Sequence, residues 1–188
     1  MLYLKKFVNK GFNVKNKIRP LFLTVAIIIC DQVSKLIVLK NVDPYSIGAS
    51  FFNGFFRIVN IYNKGIAFSI GVGLSDNVRR FLFALIPLLV LILVLVFYFK
   101  SNDFTRIQEW AVCGIVGGGL GNLIDRFFRP QGVVDWIDFR FFGLFGFERF
   151  PTFNIADASV VVCGILLVVS LIYTLSREEK KISESKYE

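Results

Sequence analysis

The sequence predicts an all-α integral membrane protein, a bundle of four transmembrane helices, and three observations carry that prediction. Hydrophobic residues make up 55% of the 188 and the mean hydropathy is +0.62. A soluble chain of this size does not sustain such values, because its surface must carry more charge. The apolar residues gather in four stretches, each near the roughly 20 residues a helix needs to cross the hydrocarbon core. Basic residues concentrate in the short segments between and beyond those stretches.

The first span covers about residues 21–39, after Pro20, and contains Asp31, Gln32, Ser34 and Lys35. Its basic start also suits a secretory signal peptide. The run is long, however, and holds an acid and a lysine, so a retained helix is expected. The second span, about 81–99, is rich in Leu and Val and has no charged residue. The third, about 107–125, carries Gly114, Gly117, Gly118, Gly119 and Gly121, small residues whose spacing lets neighbouring helices approach closely. The fourth, about 155–175, opens with Asp157 in its first turn. Residues 1–176 then form one membrane-embedded domain, with 177–188 a short, disordered cytoplasmic tail.

Orientation follows from charge. Twelve basic residues lie in 1–19, in the link between the second and third spans, and in the tail; nine lie in the longer loops 40–80 and 126–154. Their density places both termini in the cytoplasm and both long loops outside. Within those loops, residues 51–70 have the β-formers and glycines of short strands and turns, and 139–150 read FRFFGLFGFERF. Both suit the outer bilayer interface, and the aromatic loop suggests a lid over a site; ordinary aromatic anchoring accounts for many of its Phe residues as well.

The net charge of +8 is explained by these basic flanks and by anionic lipid heads, without nucleic acid. The chain has no histidine, which excludes Ser-His-Asp and Cys-His catalysis and imidazole metal sites. Cys30, Cys113 and Cys163 all lie in apolar stretches, so buried thiols are expected in place of a disulfide framework. Any chemistry must come from carboxylates, hydroxyls, Lys or Tyr.

Ionisable side chains at membrane depth are expensive, so each calls for a partner or a task. Asp31 and Lys35 are four apart on one helix and can pair. Asn122, Asp125 and Arg126 form a polar face at the outer end of the third span. Three acids near the outer face are the sharper signal: Asp135 and Asp138 in VVDWIDF, and Asp157 in FNIAD. Without histidine, two carboxylates are the natural means of peptide hydrolysis, the ionised one taking a proton from water and the protonated one polarising the scissile carbonyl. Spacing alone does not choose which two.

Five strings in order, Asp31-x-x-x-Lys35, Asn63-x-Gly65-x-Ala67-Phe68, Gly121-Asn122-x-x-Asp125-Arg126, Val133-Val134-Asp135 and Phe153-Asn154-x-Ala156-Asp157, resemble those of the lipoprotein signal peptidase (signal peptidase II) family. The resemblance covers about residues 20–175. It implies an aspartyl endopeptidase of the bacterial inner membrane, without cofactor or metal, that cuts a diacylglyceryl-modified prolipoprotein before its lipidated cysteine. It also implies a small extracytoplasmic β-cradle; contact with membrane phospholipid and action as a monomer are expected alongside. By that resemblance Asp135 and Asp157 are the catalytic pair. Asp31, Lys35, Asn63, Gly65, Asn122, Asp125, Arg126 and Asn154 then bind substrate or support the site. Phe150 before Pro151, where the family commonly has Trp, and the Phe-rich stretch after Asp135 are departures. Three other readings compete. An ion or solute transporter would use the intramembrane acids, a divalent cation would bind the three carboxylates, and a purely structural protein would keep its behaviour after Asp→Asn changes.

Overall fold

The computed structural model describes residues 17–64 and 75–184. It contains four long helices, α1 (Leu21–Asn41), α2 (Asp76–Lys100), α3 (Arg106–Phe128) and α4 (Ile155–Glu184), and three strands, β1 (Ile47–Phe51), β2 (Phe56–Asn63) and β3 (Val133–Phe139). Among the described residues, three helices are long and apolar enough to cross a membrane: α1, α2 over Phe81–Lys100, and α4. The glycine-rich α3 is less apolar and packs against all three others. At Gly118 a side chain would collide with the Ala156 carbonyl of α4, and at Gly117 it would lie 3.0 Å from the Thr24 Cα of α1. A close approach of backbones is what glycine permits there.

Burial is inverted relative to a soluble bundle. The buried residues of α1 are Thr24, Asp31, Lys35 and Val38, one stripe at helical spacing. Its opposite surface exposes Phe22, Ile29 and Ile37. On α4, Val161, Ile165, Val168 and Ile172 are likewise exposed. Polar side chains inside and apolar ones outside suit a lipid solvent, where the interior is the place for satisfied polar groups. Cys30 is exposed on this apolar surface, contrary to the buried thiol expected, because an apolar stretch facing lipid has no need to bury its small residues. Cys113 and Cys163 are buried, and all three are free thiols.

At one end, α2 is held by the segment that precedes α1. Lys17 donates to the carbonyls of Tyr98 at 2.9 Å, Phe99 at 3.1 Å and Ser101, and the Tyr98 hydroxyl donates back to the Lys17 carbonyl at 2.9 Å. An ammonium on orphaned helix carbonyls completes the C-terminus of α2. Thr105 opens α3 in a capping box with Gln108. In mid-α2, Pro87 removes the N–H that would bond the Phe83 carbonyl. The Arg126 guanidinium of α3 donates to that carbonyl instead.

At the other end the strands form an antiparallel sheet in the order β1-β2-β3. The strand character expected within 51–70 is met by β1 and β2 as far as Asn63; residues 65–70 lie outside the described residues. The third strand, VVDWIDF, falls where the sequence suggested only a link between spans. The aromatic loop continues β3 as a short hairpin, with Arg140 bridged to Arg149 and Phe141 N–H bonded to the Glu148 carbonyl at 2.9 Å. Helix α4 runs on to Glu184, so residues 177–184 are helical where a disordered tail was expected. Good helix formers in Arg-Glu-Glu-Lys-Lys extend the span without a break.

Candidate active site

Polar residues of α1, α3, α4 and the sheet converge at the sheet end. Asn154 stands at the centre. It caps α4 reciprocally with Asp157, its Oδ1 accepting the Asp157 N–H at 2.9 Å and its own N–H donating to Asp157 Oδ2 at 3.2 Å. This is a capping box with Asp in the third position, and it fixes the Asp157 carboxylate in the first turn. The Asn154 amide also donates to Asp135 Oδ1 at 2.7 Å and to Asn122 Oδ1 at 3.1 Å. Asn122 in turn donates to Asp157 Oδ1 at 2.7 Å. From β2, Asn63 donates to Asp135 Oδ2 at 3.1 Å. The β-bulge between Ile58 and Ile61 sets the register that brings Asn63 diagonally across from Asp135.

Asp135 and Asp157 are therefore joined through one residue, Asn154, by its side-chain amide and its backbone N–H respectively, and every described hydrogen bond to either comes from a neutral group. Asp135 is 2% exposed. Burial, then the negative charge of Asp157, push its carboxyl up to about 7, against the hydrogen bonds of Asn63 and Asn154 that favour ionisation.

A second pair of carboxylates lies deeper. Lys35 bonds Asp31 at 2.7 Å, as the i, i+4 spacing predicts, Asp125 at 2.9 Å and Asn122 at 3.0 Å. Its three donors are thus matched by three acceptors. Asp31 also accepts the Ala156 N–H at 3.0 Å, and Asp125 the Val134 N–H at 3.1 Å. These bonds pin the start of α4 and the start of β3, the two segments that carry Asp157 and Asp135. Gly121 lets Asp31 in: a Cβ there would lie 2.8 Å from Asp31 Oδ2.

Comparison with known proteins shows the family. The family profile described as Signal peptidase (SPase) II matches residues 23–173. A lipoprotein signal peptidase of Treponema pallidum is 47% identical over 169 residues, 90% of this chain and 89% of that one. One from Treponema denticola is 44% identical over 173 residues, 92% and 99% of the two chains. Among solved structures, a bacterial membrane enzyme determined in meso at 1.9 Å superposes with a TM-score of 0.69 at 31% identity, covering 81% of this chain and 92% of that one. The chain belongs to the signal peptidase II family.

Most residues that the signal peptidase II resemblance singles out meet in this one network: Asp31, Lys35, Asn63, Asn122, Asp125, Asp135, Asn154 and Asp157. Arg126 does not join it by a described hydrogen bond. It turns to the Phe83 carbonyl and lines, with Asp157, Asn122 and Pro87, a cavity of about 290 Å³. Asp135 lines a second cavity, of about 440 Å³, with Tyr62, Asn63 and Thr152. Gly65, Ala67 and Phe68 lie outside the described residues.

Two participants escaped the sequence reading. Gln32 donates to Asp31 at 3.1 Å, Asp125 at 3.0 Å and the Gly121 carbonyl at 3.0 Å. Arg129 pairs with Asp125 one turn along α3; its i, i+4 spacing was the available signal. Asp138 parts company with the other acids. On a strand, residues three apart face opposite sides, so Asp138 faces away from Asp135 and pairs with Arg149 at 2.7 Å. The three carboxylates do not converge as a cation cage among the described residues.

Proposed function

We propose that Asp135 and Asp157 are the catalytic pair of an aspartyl endopeptidase that removes signal peptides from prolipoproteins by cutting before a diacylglyceryl-modified cysteine. One observation carries this reading: two carboxylates joined through Asn154, its side-chain amide on Asp135 and its backbone N–H on Asp157, supported only by neutral donors, and opening on two cavities. Such a pair keeps one proton between two acids near neutrality. Asp157, ionised at the N-terminus of α4, takes a proton from the attacking water. Asp135, protonated, donates to the carbonyl oxygen as the C–O bond forms. On collapse Asp157 passes its proton to the departing amine and Asp135 recovers its own, so the pair is regenerated.

The chain is a membrane enzyme, and the finer placement is part of the proposal. All four helices cross the bacterial cytoplasmic membrane, α3 by virtue of its buried position among the others. Both termini are cytoplasmic, and the sheet stands as a cradle at the extracytoplasmic surface. There a diacylglyceryl group holds the scissile bond at the depth of the pair. The cavity beside α2 takes the signal-peptide side of the bond, and the cavity beside β2 takes the other. The enzyme acts as a monomer among membrane phospholipids.

The test is cleavage by the purified protein of a diacylglyceryl-modified prolipoprotein and of its unlipidated counterpart, followed by gel shift. Wild type should cut the lipidated substrate alone, and Asp135→Asn and Asp157→Asn should each cut neither. No cleavage by a folded wild type would overturn the reading.

A further inference from the structure

On the side of the sheet away from the catalytic pair, three N–H donors are shut off from solvent without an acceptor among the described residues. They are Arg57 Nε, Trp136 Nε1 and Arg149 Nη2. Buried donors without partners are rare, and each asks for an explanation. These three belong together. Arg57 is directly opposite Asp138 in the β2–β3 pairing, and Trp136, two residues before Asp138, shares its face of β3. Arg149 reaches the same place from the hairpin, its Nε bonding both Asp138 oxygens at 2.7 Å and its Nη1 the Gly54 carbonyl at 3.0 Å. Arg57 converges on Gly54 too: a Cβ there would stand 3.3 Å from its Nη2. Gly54 has φ +83°, a turn conformation that suits glycine.

Two guanidiniums thus converge on Gly54, and one carboxylate, Asp138, is bonded to Arg149. Asp138 is spent on Arg149, and no described ion pair reaches Arg57, so the cluster keeps a net positive charge. Around it the surface is apolar: Phe52 of the β1–β2 turn is 82% exposed and Phe142 of the hairpin 66%. Phenyl rings offered to hydrocarbon beside a guanidinium pair match the acyl chain and phosphate of a phospholipid.

We propose that this face of the sheet binds the headgroup phosphodiester of an anionic membrane phospholipid, with the Arg57 guanidinium, whose Nη atoms meet no described acceptor, on the phosphate beside Trp136. The proposal rests on the sheet lying at the membrane surface and is independent of which residues catalyse. The occupied site anchors the cradle and the aromatic hairpin at headgroup depth.

The chain has two tryptophans, Trp110 and Trp136, so a Trp110→Phe protein in uncharged detergent reports on Trp136 alone. Short-chain phosphatidylglycerol should shift its emission saturably, while short-chain phosphatidylcholine and inorganic phosphate at the same concentrations should not. Arg57→Gln should weaken the apparent affinity at least about tenfold. Because Arg57 bonds no described group, its melting temperature should stay within about 2 °C, and its cleavage activity in detergent should be unchanged. An equal response to phosphatidylcholine, an equal response to phosphate, or an unchanged affinity in Arg57→Gln would each overturn the proposal. So would an Arg57→Gln defect confined to lipid-free cleavage of substrates acidic after the cysteine, which would assign the face to the substrate.

Discussion

Two pairs of carboxylates sit side by side in this protein, and they are treated in opposite ways. Asp31 and Asp125 are fully buried and are met by Lys35 and Arg129, so the cluster is neutral as a whole. Asp135 and Asp157 receive only amides: Asn63, Asn122 and Asn154. A buried cation would lock a carboxylate into its ionised form and consume its lone pairs. An amide orients the group while leaving its proton free to move. Local chemistry, more than burial, separates the pair that braces the fold from the pair available for reaction.

The comparison can be broken most sharply at the second pair. Asp135→Asn and Asp157→Asn should each lower the cleavage rate by about a thousandfold or more, with the protein still folded by circular dichroism. A residual rate near wild type in either would remove that residue from the mechanism. At the first pair the main effect should be on stability. Lys35→Met leaves two buried acids without their shared ammonium and should cost about 3–5 kcal/mol, read as a loss of thermal midpoint in detergent. Adding Asp31→Asn should restore part of it.

Asn122 belongs to both regions, accepting from Lys35 and donating to Asp157. Asn122→Ala should therefore lower turnover by roughly ten- to a hundredfold and stability by about 1–3 kcal/mol; a change in stability alone would separate the two regions. The pH dependence sharpens the contrast further. The Asp135 carboxyl rises from 3.8 to about 7 on folding, so between those values the folded protein holds more protons than the unfolded chain. This group's contribution to stability then falls as pH rises through the window. Asp135→Asn should flatten that slope in thermal melts from pH 4 to pH 7 and raise the midpoint by a few degrees near neutrality. The smallest effect is expected at the hairpin. A short polar turn in place of residues 142–147 should slow turnover several-fold if the hairpin covers the site, and unchanged kinetics would remove that role.

Much of this was legible in the chain. Apolar length alone marked α1, α2 and α4, and the i, i+4 step tied Asp31 to Lys35. The strand β3 was not legible because its acids are three apart, which hides the alternation of a strand; both are buried, on opposite faces, with different partners. Gln32 was passed over because an amide beside an ion pair carries no charge signal. The aromatic run suggested an interface but not a hairpin. Its turn rests on Phe142 and Gly143, both at positive φ, and its rings meet Phe55 from a distant part of the chain, Phe142 stacked on it and Phe139 edge-on.

Pro87 carries a consequence of its own. By leaving the Phe83 carbonyl unbonded within α2, it gives the Arg126 guanidinium an acceptor in the wall of the cavity that Asp157 also lines. Restoring the helix bond with Pro87→Leu would take that acceptor away and move a guanidinium within the cavity wall. An uncharged substitution on a different helix would thereby redistribute charge around Asp157 without touching either aspartate.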